Sequence, residues 1–70
     1  MISKNVAQTI KNQSLRAIEE LSKMLFEVQG MCPEEDFNGI RRGVGSCIIE
    51  IQTELLDPIY RVYPEMDDLK

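Results

Sequence analysis

The chain has 70 residues, 43% of them hydrophobic, with no His, two Cys and a formal charge of −4. One domain is the ceiling at this length, and so short a chain buries only about 60% of the surface its unfolded form exposes, so it needs a disulfide, a metal or a partner chain. Two Cys without His do not make a structural zinc site, no calcium-loop spacing occurs, and the acids gather in residues 31–70 (net −5, against +1 over 1–30), a surface that repels phosphate backbones. No metal, no cofactor and no nucleic-acid partner is expected, which leaves a partner chain as the source of stability.

"MISKNVAQTIKNQ" holds no apolar run of signal-peptide type. No stretch approaches the ~20 apolar residues that span a bilayer. The reading is a cytoplasmic protein with free thiols and no membrane partner.

The spacing predicts a first helix over about 6–29. Ala7, Ile10, Ser14, Ala17, Leu21, Met24 and Val28 step by three and four, and Ile18 and Leu25 widen the stripe. Ser3 or Asn5 can cap its start, Asn5 with Gln8 at capping-box spacing. Arg16–Glu20, Glu19–Lys23 and Lys23–Glu27 are i,i+4 pairs of a few tenths of a kcal/mol each. "KNQS" is the weak stretch, since Asn and Ser favour caps and turns, and Ser14 could recap a second segment there. Gly30 stands where a helix ends on a left-handed residue. Pro33 suits a first helical turn, and Glu34, Glu35 and Asp36 suit the positive end of a helix dipole. The short connection returns the chain antiparallel, which gives a helical hairpin.

The second helix is predicted over about 33–57 on Phe37, Ile40, Val44, Ile48, Ile51 and Leu55, with the phase continuing to Ile59 and Val62. Asp57-Pro58 interrupts it, either as a kink or as the start of a short extension over about 58–63, because Pro lacks the N–H and its ring crowds the preceding turn. Pro64 ends the order, and 64–70 reads as a frayed acidic tail.

"GIRRGVGSCIIEIQTELL" carries three glycines inside this helix, each costing about 1 kcal/mol against Ala. At ~100° per residue Gly39, Gly43 and Ser46 share one side, while Gly45, Ile49, Leu56, Tyr60 and Tyr63 share another. Close approach of another helix at Gly39-x-x-x-Gly43 offsets the cost in one reading; a partly looped 38–45 is the alternative. On the first helix Leu15 and Phe26 likewise stand off the main stripe. Two helices in a hairpin have one contact line and cannot cover two apolar faces each. The expected remedy is a homodimer, an antiparallel four-helix bundle about a two-fold axis. Leu15, Phe26, Gly39, Gly43, Ser46, Ile49, Leu56 and Tyr60 are the expected interface.

Cys32 precedes Pro33 at a helix start, where a thiolate is favoured, yet three acids follow and oppose it; it is the one candidate reactive thiol. Cys47 reads as a small core hydrophobe. Arg41-Arg42 reads as a solvated pair beside the acids, and Glu50, Glu54 and Asp57 as a solvated acidic face that Lys11 or Lys23 of another chain could answer. Tyr60 and Tyr63 fit either a docking segment or the closed end of a bundle. The expected function is non-enzymatic protein–protein interaction, as adaptor, regulator or assembly subunit, with another protein as a further partner. The alternatives are an oligomer that binds a small ligand or performs thiol chemistry near Gly39, Gly43 and Cys47, and a minimal nucleic-acid regulator whose basic stripe is built across two chains.

Overall fold

Ser3 starts the first helix: its hydroxyl accepts the Val6 N–H at 3.2 Å, and α1 (Lys4–Val28) runs from there without a break. The coordinates, a computed structural model, describe residues 2–67. "KNQS" does not interrupt α1. Lys11 and Ser14, its two ends, are buried against the rest of the chain while Asn12 and Gln13 face solvent, and packing overrides the weak local propensity.

Gly30 has φ +84°, the left-handed geometry expected after a helix end. Around it the Gln29 N–H donates to the Leu25 carbonyl and the Met31 N–H to the Val28 carbonyl. Pro33 sits at the cap of the next helix rather than in its first turn, and its carbonyl accepts the Phe37 N–H at 3.0 Å. Glu34, Glu35 and Asp36 fill the first turn of α2 (Glu34–Ile51), where acids suit the dipole. Residues 38–45 are regular helix, so the looped alternative falls.

Past Ile51 the helix widens into a π-helical segment (Gln52–Leu56), then resumes as α3 (Asp57–Val62). The cause is Pro58. It has no N–H to give, and its ring crowds the carbonyl one turn back. The Asp57 N–H instead reaches the Gln52 carbonyl, five residues earlier. A wide turn delays the apolar phase by about one residue. The stripe read from sequence ran through Leu55 and Val62; the structure exposes both and turns Leu56, Ile59, Tyr60 and Tyr63 inward. Leu56 is 3% exposed, which removes it from the exposed apolar face where the sequence placed it.

The frayed tail expected over 64–70 is ordered through Asp67; Asp68, Leu69 and Lys70 lie outside the described residues. Pro64–Met66 form a 3₁₀ turn that brings Met66 onto Ala7 and Ile59, with Ile10, Tyr60 and Tyr63 around them. Three polar ties hold residues 63–66 to the start of the chain and to α1. Lys11 Nζ donates to the Met66 carbonyl at 2.7 Å, the Tyr63 hydroxyl donates to the Ile2 carbonyl at 2.9 Å, and Lys4 Nζ lies 3.6 Å from Glu65. The first two are the stronger, because the exposed ion pair is screened.

The architecture is all-helical, with α1 packed antiparallel on the α2–α3 arm and no strand among the described residues. Burial is concentrated at the end where the C-terminal turn closes over α1; toward the connection Val44 is the buried residue of α2. The rod measures 45 × 21 × 16 Å, with a radius of gyration of 14.7 Å against about 11 Å for a compact chain of this length.

Candidate functional site

A two-helix layer leaves both of its broad faces open, and both carry exposed apolar side chains: Val6, Met24 and Ile40 lie about 180° by helical phase from Leu15 and Ile49, which share the other face with Phe26. Phe26 is 82% exposed, Ile49 63% and Leu15 42%. At ~100° per residue Leu15 and Phe26 lie about 20° apart on α1, and roughly 100° from the line of Ala7, Ser14 and Leu25 that faces the other arm. Ile49 stands well off the inward line of Val44, Ile48 and Ile51. Because α2 runs opposite to α1, these offsets bring Ile49 to the same broad face as Leu15 and Phe26. The packing of Ile59 on Ala7 sets a register that puts Ile49 near the level of Leu15 to Ala17. Gly45, half-buried, lies on that face beside Ile49.

The opposite face differs. Gly39, Gly43 and Ser46 are exposed, and a Cβ added at Gly39 or Gly43 meets nothing within 4 Å. No helix of the chain itself crosses there. Asp36, Glu50 and Glu54 share this side of α2 by helical phase, so the strip is smooth and acidic. Cys47 borders it and is exposed, which corrects the reading of a core hydrophobe; the inward line of α2 passes through Val44, Ile48 and Ile51 instead.

Of the eight residues expected at an interface, the structure thus splits the set. Leu15, Phe26 and Ile49 gather on one face, and Gly39, Gly43 and Ser46 lie on the other. Leu56 is core, and Tyr60 packs half-buried against Ala7, Ile59 and Met66. Tyr60 and Tyr63 therefore close the end of the hairpin. Lys11, considered as a base for Glu50 and Glu54 of another chain, is buried and committed to Met66, while Lys23 lies 3.8 Å from Glu19 and 3.7 Å from Glu20.

Cys32 is half-buried at the connection, in a shallow open depression with Gly30, Glu34, Phe37 and Arg41. A second depression, also open, lies among Thr53, Asp57, Tyr60, Arg61 and Asp67. Neither includes Gly39, Gly43 or Cys47, where the sequence allowed a ligand cleft. Among the described residues no group of three or more His, Cys, Asp or Glu is placed to hold a metal, and no helix is long and apolar enough to cross a membrane. Met24, Leu55 and Val62, which the spacing placed in the inward stripes, are exposed, as is Met31 of the connection; for Leu55 and Val62 the cause is the π turn before Pro58.

Compared with known protein families, curated proteins and solved structures, the chain matches none.

Proposed function

We propose that this is a small non-enzymatic helical protein that acts by protein–protein association, and that its first partner is a second copy of itself in a four-helix bundle. The observation that carries the reading is the surface left open. The chain exposes 5345 Å², where a compact 8.0 kDa monomer exposes about 4,450 Å². The excess, roughly 900 Å², is near the ~800 Å² that each partner contributes to a standard protein interface. Part of that surface carries exposed apolar side chains, Leu15, Phe26 and Ile49 among them, and layering one hairpin on another covers them without altering either. Catalysis has less support, because both depressions are shallow and the acids lie on solvated faces. The net negative charge opposes nucleic acid. The two free thiols suit a reducing compartment such as the cytoplasm.

Light scattering at micromolar concentration should give about 16 kDa, twice the chain mass of 8.0 kDa. A folded single chain across that range refutes the proposal.

A further inference from the structure

We infer that the second copy docks on the face of Leu15, Phe26 and Ile49, and that the glycine strip of α2 stays outside the dimer. The inference rests on the self-association proposed above and deepens it by choosing between two open faces. Charge makes the choice. In a two-fold dimer the same patch meets itself, so a patch of one sign is repelled by its copy. The strip of Gly39, Gly43 and Ser46 carries Asp36, Glu50 and Glu54 and no base on the same side of α2. Pairing it with itself sets acids against acids. The other face carries both signs: Glu19 stands beside Leu15 and Phe26 on α1, and Arg41 and Arg42 flank the line of Gly45 and Ile49 on α2, by the same helical phase. A two-fold axis through that face can set the acid of one copy opposite bases of the other.

Apolar side chains are exposed on both faces, but the two most exposed helical ones among the described residues, Phe26 and Ile49, stand on this one, and interface anchors are drawn from such groups once a partner excludes water. Its anchors run about 16 Å along the 45 Å rod, from the level of Leu15 and Ile49 to Phe26 near the connection.

The test is sedimentation equilibrium of wild type, Ile49→Lys and Gly43→Leu, with far-UV circular dichroism to follow helix content. Ile49 and Gly43 both face solvent in the chain, so neither change disturbs the hairpin itself. Wild type and Gly43→Leu should assemble alike, and Ile49→Lys should weaken assembly by at least roughly 100-fold. A second readout keeps α2 unaltered: in a Cys32→Ser background, Cys47 should react with a maleimide equally fast below and above the assembly concentration. Gly43→Leu dissociating while Ile49→Lys assembles, or Cys47 slowing several-fold on assembly, overturns the choice of face while the dimer stands. A wild type that stays a single chain overturns the dimer itself.

Discussion

Met66→Ala is the sharpest probe of the fold, because the sequence pattern gives Met66 no role and the structure gives it one. Met66 is 4% exposed and packs on Ala7 and Ile59. Truncating a buried Met to Ala costs about 2–5 kcal/mol, the spread reflecting how far the site collapses. Here the site is a single turn lying over the end of α1, able to settle inward, so the low end applies, about 2 kcal/mol. For a domain of this size each kcal/mol lowers the melting temperature by roughly 4–8 °C, which gives a drop of about 8–16 °C. The control is the same substitution at Met31, which is 78% exposed in the connection and should cost less than about 0.5 kcal/mol. Thermal melts by circular dichroism read both, at one fixed chain concentration, since self-association makes the midpoint concentration-dependent. Equal melting of the two variants, or a larger loss at Met31, refutes the C-terminal closure.

The π turn has its own signature. Leu56→Ala should cost about 2–4 kcal/mol and Leu55→Ala less than about 1 kcal/mol; chemical denaturation that ranks them the other way restores the uninterrupted α register. Tyr63→Phe removes the hydroxyl that donates to the Ile2 carbonyl and should cost about 1 kcal/mol. Amide exchange at the start of α1 should rise with it, and unchanged exchange there shows that the tie does not hold the helix.

Much of the helical layout was legible, because helices announce themselves by apolar spacing and by their ends. Gly30, the acids after Pro33 and the period from Phe37 to Ile51 each state a local rule that the structure obeys. What escaped is non-local. Lys11 and Ser14 look like a weak point until the turn at Met66 is known to lie over them, 55 residues from Lys11 along the chain. Pro58 announces an interruption, but whether the chain kinks, restarts or widens depends on which of Leu55 and Leu56 finds a neighbour on α1. That in turn splits the candidate interface, since Leu56 and Tyr60 rotate inward with the slip. The excess of apolar sides was visible in the spacing of Leu15, Phe26 and Ile49 against the main stripes. The two-sided charge pattern required knowing which sides of α1 and α2 end up together. Nothing in the chain's own packing explains the cost of Gly39 and Gly43.

The tie between Ile2 and Tyr63 and the one between Lys11 and Met66 have a consequence for biosynthesis. The best-buried part of the molecule joins segments 55 and 61 residues apart along the chain, so a growing polypeptide cannot complete it until position 66 has left the ribosome. Such distant pairings are won late and slow folding relative to local ones. Until then α1 and the first turns of α2 are amphipathic helices without cover, exposed to chaperones and proteases.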